Sequence, residues 1–178
     1  MSDSTGPYAA DFELDGPPEA EFNPGIAQRM AHKTVAAGAL IRDPAGRLLF
    51  VVPNYKPFLD IPGGIVEPGE SPSAACAREV AEEIGLELTP GRLLVVDWTP
   101  GRGPWSDQVQ FVFDGGVLDP AAVIRPAANE LTGFRWATLE EARPDLRPSV
   151  HRRFALASRA ISAGQTFHAE FGHLLNPA

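Results

Sequence analysis

Cysteine is nearly absent from this chain, which has one, Cys76, among 178 residues. An intramolecular disulfide is therefore excluded, and we predict a reducing, cytoplasmic location. The chain also lacks any apolar run approaching the ~18 residues of a membrane span, and its N-terminus has neither a basic start nor an apolar stretch. Because of these absences, we expect no transmembrane helix, no signal peptide and no membrane partner.

Positive charge is scarce as well. The chain has 15 Lys and Arg against 23 Asp and Glu, so its formal net charge is −8 and a nucleic-acid polymer is a poor partner. Small phosphorylated substrates are compatible with this acidity, because bound cations neutralise the local field. The four histidines are scattered, so no Cys₂His₂-type metal site is expected.

The composition, 44% hydrophobic and 21% charged, predicts one globular domain preceded by an extension. Residues 1–33 are rich in Asp, Glu, Pro and Gly, which is typical of a flexible or loosely docked arm. The alternative is an arm that pairs with a second subunit in a homodimer. Phe12, Leu14 and Phe22 favour that alternative, because a purely solvated tail has no need of apolar anchors.

Regular structure is predicted in residues 34–165, followed by a tail, residues 166–178, with no informative pattern. The predicted elements are a β-hairpin over 35–41 and 47–52, strands over 92–98 and 108–113, a strand and short helix within 130–142, and a helix over 148–163. A further helix, over 72–84, lies between the hairpin and the third strand.

That helix belongs to the stretch GGIVEPGESPSAACAREVAEEIGL, which begins at Gly63 and ends at Leu86. Ser71 can cap its first turn, Pro72 suits the first helical position, and Gly85 supplies the left-handed residue that ends it. The helical period predicts a core face on one side. Its members are Ala77, Val80, Ala81 and Ile84.

Three glutamates, Glu79, Glu82 and Glu83, are predicted on the opposite side of this helix, at i, i+3 and i+4. Carboxylates at this spacing repel one another by a few tenths of a kcal/mol per pair, and a cation between them reverses the sign. Glu67 and Glu70 add carboxylates just before the helix. Oxygen ligands of this kind suit a hard cation such as Mg²⁺ or Mn²⁺.

The pattern as a whole resembles a known family motif. Gly64, followed after five residues by Glu70 and after seven more by REVAEEIGL (78–86), is similar to the Nudix box at every fixed position. The likeness extends over roughly residues 35–164. It implies an α/β/α sandwich with a mixed central sheet, on which the box helix and the C-terminal helix pack. It also implies a metal-dependent hydrolase of nucleoside diphosphates linked to another moiety.

Within that resemblance, Glu79, Glu82 and Glu83 are the expected ligands of Mg²⁺ or Mn²⁺, and Glu67 is a further candidate. A backbone carbonyl near Gly63 can complete the coordination. The solvated face of an ordinary helix is the alternative interpretation of the glutamates. The glycines, caps and remaining box residues at fixed spacing argue against it.

Four residues are candidates for handling the attacking water. Arg78 is permanently cationic, so we expect it to grip Glu70 or a helix carboxylate and fix its orientation. Glu70 is itself a possible base, but the partnership with Arg78 is favoured. Glu83 or Glu130 then takes the proton, and the sequence does not decide between them. Glu130 is a candidate for this role because an acidic residue six positions before Trp136 resembles a Nudix feature.

Substrate contacts are predicted in two loops. Arg102 and Trp105 offer a cation and a flat ring that can hold a phosphate and stack on a base. Tyr55, Lys56 and Phe58 are candidates for the mouth of a pocket, with ordinary loop packing or exposure as the alternative for each. The favoured substrate is a small nucleoside diphosphate derivative such as ADP-ribose or a nucleotide sugar, and a damaged or surplus nucleoside triphosphate is second.

The sequence leaves two other classes of protein as alternatives. One is a Nudix-like domain that senses a nucleotide without hydrolysing it, against which the intact set of box carboxylates argues. The other is an isomerase on the same scaffold, which is expected to use a cysteine elsewhere. Here the one cysteine, Cys76, lies within the box helix, where packing is the expected role.

Overall fold

The computed structural model describes residues 8–15, 17, 20–119 and 121–175. Its helices are α1 (Ala9–Asp15), α2 (Ile26–Arg29), α3 (Pro72–Ile84), α4 (Leu139–Ala142) and α5 (Pro148–Ala163), with a 3₁₀ turn at Arg143–Asp145. Its strands are β1 (Thr34–Arg42), β2 (Leu48–Pro53), β3 (Gly63–Ile65), β4 (Leu93–Thr99), β5 (Gln108–Val117), β6 (Leu131–Ala137), β7 (Phe167–Glu170) and β8 (His173–Leu174). Every strand and helix predicted between residues 34 and 165 is present, with ends shifted by a few residues.

The strands form one mixed sheet in the order β6-β2-β1-β5-β4-β7-β8, and β3 pairs separately with β1. Two pairs are parallel, β1 with β5 and β4 with β7, while the other pairs are antiparallel. The hairpin β1–β2 therefore supplies the centre of the sheet, and β5 lies beside it although the two are far apart in sequence.

Apolar side chains alternate between the two faces of this sheet, and a helix covers each face. On β1, Ala39 and Ile41 pack with α3, whereas Leu40 packs on the opposite side with residues of α5 such as Phe154. A strand with both faces covered buries successive residues, and β1 shows this between Ala36 and Ile41. The predicted α/β/α sandwich, with the box helix and the C-terminal helix on a mixed sheet, is confirmed.

The box helix α3 begins and ends as the sequence predicts. The Ser71 hydroxyl accepts a hydrogen bond from the Ala74 N–H at 3.2 Å, Pro72 occupies the first turn, and Gly85 has a left-handed φ of 69°. Together these caps satisfy backbone groups that would otherwise lack partners at the two helix ends.

The buried face of α3 differs from the predicted one. Ala77 is only half-buried and Ala81 is exposed. The residues buried along the helix are Ala75, Cys76, Val80, Glu83 and Ile84. The core face is therefore rotated toward Cys76 and Glu83, so the expectation that Glu83 lies opposite the core is wrong. The reason is tertiary, because the Gly63 N–H of strand β3 donates a hydrogen bond to the Glu83 carboxylate.

The last two strands lie within residues 166–178, where the sequence shows no informative pattern. Phe167 and Ala169 of β7 are buried, and β7 extends the sheet by pairing in parallel with β4. Strands of four and two residues are too short to give a readable alternation. Residues 176–178 lie outside the described part of the chain.

The described residues divide into two units between His32 and Lys33. The N-terminal unit contains α1 and α2, and its apolar side chains Phe12, Leu14 and Phe22 are 57%, 86% and 88% exposed. Each helix in the described ranges is too short or too polar to span a bilayer.

Deletion of residues 1–30 tests the two expectations for this unit. Exposed apolar side chains are a feature of both a loosely docked extension and a pairing arm. If the unit is a pairing arm, deletion lowers the particle mass from two chains to one, measured by light scattering after gel filtration. An unchanged mass per particle together with unchanged activity would contradict the pairing arm and favour a loosely docked extension.

Candidate active site

Two glycines of β3 carry the backbone against both β1 and the box helix. Gly63 and Gly64 pair with Gly38 and Ala37 of β1. A β-carbon on Gly64 would lie 2.5 Å from the carboxyl group of Glu79, and one on Gly63 would overlap the backbone of β1. The fold therefore requires glycine at Gly63, which lies against a strand, whereas at Gly64 a larger residue would displace the Glu79 carboxyl group.

Glu83 is the buried carboxylate of the site. It is 5% exposed, and its Oε2 accepts a hydrogen bond from the Gly63 N–H at 2.9 Å. The pKa of Glu83 is raised to about 7, chiefly by burial and also by the negative charges of Glu79, Asp60 and Glu130, and the bond from Gly63 offsets only part of this rise. Glu83 can therefore gain or lose a proton near neutral pH.

Arg78 joins the other box carboxylates. Its Nε and Nη2 each donate to a different oxygen of Glu70 at 2.9 Å, and its Nη1 donates to Glu79 at 2.9 Å and to Glu82 at 3.1 Å. Nη2 also donates to the Ile65 carbonyl at 3.0 Å. The bonds from Arg78 hold the pKa of Glu70 below its ordinary value. The structure thus brings together the Arg78–Glu70 pair that the sequence suggested.

The predicted ligands do not converge on one point in this arrangement. Among the described residues, no group of three or more acidic, histidine or cysteine side chains is placed to hold a metal ion. Arg78 holds Glu79 and Glu82, and the Glu82 side chain is 61% exposed, while Glu83 faces the Gly63 N–H.

The residues nonetheless fit a divalent cation by donor type and by charge. All candidate side chains are oxygen donors, as Mg²⁺ and Mn²⁺ prefer. Mutual repulsion contributes to raising the pKa values of Glu79 and Glu83, after burial, which is the larger cause in both. An excess of negative charge that raises carboxyl pKa values is the field that a bound cation relieves.

A cleft of about 240 Å³ opens beside the glycine strand. Gly63, Gly64 and Ile65 form part of its wall. Lys56 at the cleft pairs with Asp60 at 2.7 Å, and although burial opposes its charge, this carboxylate keeps the pKa of Lys56 above its ordinary value. The cleft therefore adjoins the box carboxylates and contains a fully charged lysine.

Of the predicted substrate residues, Tyr55 and Lys56 are among those that line this cleft. The ring of Phe58 is covered by the Arg147 guanidinium at 4.9 Å, which is the ordinary loop packing named as its alternative. Arg102 and Trp105 close a tight turn through two backbone hydrogen bonds of 3.0 and 3.2 Å, and both are exposed.

Two of the predicted acidic residues, Glu130 and Glu67, lie at the edge of the candidate site. Glu130 is exposed at the start of β6, yet its charge contributes to raising the pKa values of Glu79 and Glu83. Glu67 is also exposed, and its backbone exchanges hydrogen bonds with Glu70, at 3.1 Å to the carboxylate and 3.0 Å from the N–H.

Sequence reasoning passed over several residues that line the cleft: Asp60, Gln108, Gln110 and Arg153. A signal existed on β5, where Gln108 and Gln110 alternate with apolar residues although both faces of the sheet are covered. Polar side chains on a covered face need partners or a cavity. Arg153 gave no such signal, since its neighbours on α5 are ordinary surface and core residues.

The fold and the site together define an α/β/α sandwich in which a helix bearing glutamates adjoins a polar cleft. The family model described as "NUDIX domain" matches residues 32–157, and the chain belongs to this family. The prediction of a Nudix-type hydrolase is thus confirmed at the level of the family.

Individual relatives agree with this assignment. A "MutT-like protein" of Streptomyces ambofaciens is 31% identical over 62% of this chain and 66% of its own length. An "ADP-ribose pyrophosphatase" of Methanocaldococcus jannaschii is 34% identical over 46% of this chain and 50% of its own length. The chain therefore spans less than two thirds of these curated relatives. The crystal structure of a MutT protein from Methanosarcina mazei Go1 is 27% identical, with a TM-score of 0.61 over 77% of this chain and all of that one.

Proposed function

We propose that this protein is a Mg²⁺- or Mn²⁺-dependent diphosphohydrolase that cleaves the pyrophosphate bond of a nucleoside diphosphate linked to another moiety. The observation that carries the proposal is Glu83, a buried carboxylate that accepts from the Gly63 N–H beside a cleft and whose pKa is raised to about 7 by burial and by the charges of Glu79, Asp60 and Glu130. A buried, strongly perturbed carboxyl group at a cleft is typical of hydrolytic sites.

The pyrophosphate is anionic and repels an attacking water, so the site must first neutralise charge. Glu79, Glu82 and Glu83 are the side chains we assign to hold the cation, with Glu67 and the Gly63 carbonyl as further candidates. A bound divalent ion neutralises phosphate charge and lowers the pKa of water. Lys56 adds a hydrogen-bond donor at the cleft, and its charge is paired with that of Asp60.

We assign Glu83 to accept the proton of the attacking water. Glu70 is a poor base, because both of its oxygens are engaged by Arg78 and its pKa is lowered. Glu130 is exposed and accepts a hydrogen bond from Asn129 at 3.1 Å, which leaves it as the second candidate. Of the two carboxylate oxygens of Glu83, Oε2 accepts from the Gly63 N–H, so Oε1 is the atom that we assign to accept the proton from water. Arg78 is then a positioning residue that orients Glu70 and the helix carboxylates.

ADP-ribose and nucleotide sugars are the first substrates to test. The relative named ADP-ribose pyrophosphatase supports this class. Nucleoside triphosphates are the second class. We place the enzyme in the cytoplasm, an inference supported by Cys76, which is a buried and unpaired thiol.

A phosphate-release screen tests the proposed function. ADP-ribose, nucleotide sugars, dinucleotides and nucleoside triphosphates are each incubated with the full chain and Mg²⁺ or Mn²⁺, with EDTA as the control. We expect turnover of at least one sugar-linked nucleoside diphosphate and none in EDTA. Turnover confined to triphosphates would favour the second class. Ligand-induced melting shifts without turnover anywhere in the panel would identify a nucleotide sensor instead.

A further inference from the structure

The floor of the cleft carries a row of polar groups at its end nearest α5. In the β4–β5 pairing, Asp97 stands opposite Gln110 and Thr99 opposite Gln108. Residues directly opposite each other on an antiparallel pair project to the same face of the sheet. Arg153 of α5 bonds to both Asp97 and Thr99, so it lies over the same face, and it lines the cleft together with both glutamines.

Arg153 is held in one orientation. Its Nε donates to Asp97 Oδ2 at 2.7 Å and its Nη2 to Thr99 Oγ1 at 2.9 Å. The other oxygen of Asp97 accepts the Gly172 N–H, at the β7–β8 turn, at 2.9 Å. The Asp97 side chain is fully buried and that of Arg153 is 8% exposed. Asp97 is thus a positioning residue, fixed by the C-terminal strands.

The third guanidinium nitrogen of Arg153 is Nη1. Within the described ranges, Nη1 makes no hydrogen bond, and it is not among the buried polar atoms that lack a partner, so it keeps contact with solvent. Its two N–H groups are the part of this fixed guanidinium that a ligand in the cleft can reach. Because Asp97 neutralises its charge, Arg153 offers donors to a neutral acceptor rather than an uncompensated charge to a phosphate.

The side chains of Gln108 and Gln110 supply further hydrogen-bonding groups to the cleft. Gln110 Nε2 donates to Gln108 Oε1 at 2.7 Å. Whichever way the two amides are turned, this bond uses one N–H and one oxygen and leaves one amide oxygen and one amide nitrogen free. Beside Arg153, the floor therefore offers two kinds of donor and one acceptor.

We propose that Arg153, Gln108 and Gln110 form a subsite for a nucleobase that carries a carbonyl beside a ring N–H, as guanine and uracil do, in preference to adenine and cytosine. The carbonyl accepts from Arg153 Nη1, and the ring N–H donates to the free amide oxygen. Adenine and cytosine present an amino group where guanine and uracil present that carbonyl, so donor would face donor. This inference rests on the proposed function and narrows its substrates to nucleotide sugars of guanine and uracil rather than ADP-ribose.

Calorimetric titration of the full chain with nucleoside monophosphates tests the subsite without requiring turnover. UMP and CMP form a matched pair that differs at the carbonyl and adjacent N–H, and GMP and AMP form a second pair. We expect UMP to bind about tenfold more tightly than CMP, and GMP about tenfold more tightly than AMP. Equal binding within each pair, tighter binding of AMP or CMP, or no binding of any of the four would overturn the subsite.

Arg153→Lys keeps a cation opposite Asp97 but removes Nη1, and it should abolish both preferences. Arg152→Lys is the matched control, because Arg152 is the next residue on α5 and donates to the Phe171 carbonyl at 2.8 Å. That variant should keep both preferences. Gln110→Met leaves the ion pair intact and should weaken UMP and GMP binding even if Arg153→Lys does not fold. Preferences that survive both Arg153→Lys and Gln110→Met would contradict the assignment.

The nucleotide titrations and the phosphate-release screen can fail independently of each other. If the chain cleaves sugar-linked nucleoside diphosphates irrespective of their base and binds the four nucleotides alike, the subsite is wrong and the proposed function stands. If no phosphate is released from any substrate but the base preferences appear, the proposed hydrolysis is wrong and the subsite stands.

Discussion

Replacing Glu83 by glutamine is expected to lower turnover by at least about 100-fold while leaving the chain folded, because the variant keeps the shape of the side chain but cannot accept a proton. Glutamine also cannot supply the negative charge that we assign to cation binding. Its amide oxygen can still accept the hydrogen bond from the Gly63 N–H, which preserves the local structure. Steady-state rates on the substrate identified by the screen measure the effect.

The same substitution has a second, independent readout in the pH dependence of stability. The folded-state pKa of Glu83 is about 7 against an ordinary value of 4.5, so between these values the folded state binds more protons than the unfolded state. Its contribution to stability is therefore lost as pH rises across this window, by at most about 1.4 kcal/mol per pH unit. In EDTA, Glu83→Gln should melt increasingly above the wild type between pH 4.5 and pH 7.

Glu87→Gln is the control, since Glu87 is an exposed acid just beyond the helix. It should match the wild type in both rate and melting profile. Near wild-type turnover from Glu83→Gln would remove Glu83 from the site and leave Glu130 as the proton acceptor. A melting difference independent of pH would mean that the pKa of Glu83 in the folded state is close to its ordinary value.

Gly64→Ala is expected to abolish most of the activity with little loss of stability. The new methyl group would lie 2.5 Å from the Glu79 carboxyl, which must move. That carboxyl is the far end of a flexible side chain, so moving it costs the fold little. Displacing a proposed metal ligand should lower affinity for Mn²⁺ and turnover by about 10- to 100-fold, as for altered groups around metal sites. Mn²⁺ titration and thermal melting separate the two effects.

Alanine substitutions at two other glycines, Gly63 and Gly133, serve as comparisons for Gly64→Ala. Gly63→Ala would press a methyl group onto the backbone of β1 at a φ of +152°, so it should destabilise the fold itself. Gly133→Ala meets nothing within 4 Å and should be neutral in stability and rate. Full activity in Gly64→Ala would show that the position of Glu79 does not matter to the reaction, whereas loss of folding in this variant would show that the Glu79 side chain cannot move.

Much of the fold was predictable because its signals are local. The caps of α3 at Ser71 and Gly85, the hairpin of β1 and β2, and the end of α5 at Gly164 each depend on a few adjacent residues. The short strands β7 and β8 were missed, since pairing with distant β4 rather than their own pattern makes them strands.

By itself, the sequence determined the family, the box helix and the oxygen-donor chemistry of its glutamates, because spacing along one helix depends on neighbours a few residues apart. The tertiary structure alone decided that Glu83 is buried and that Arg153 is held at the cleft floor by Asp97. Those placements join residues 20 and 56 positions apart. Contacts between distant segments follow from how the sheet and helices pack, and no local pattern encodes them.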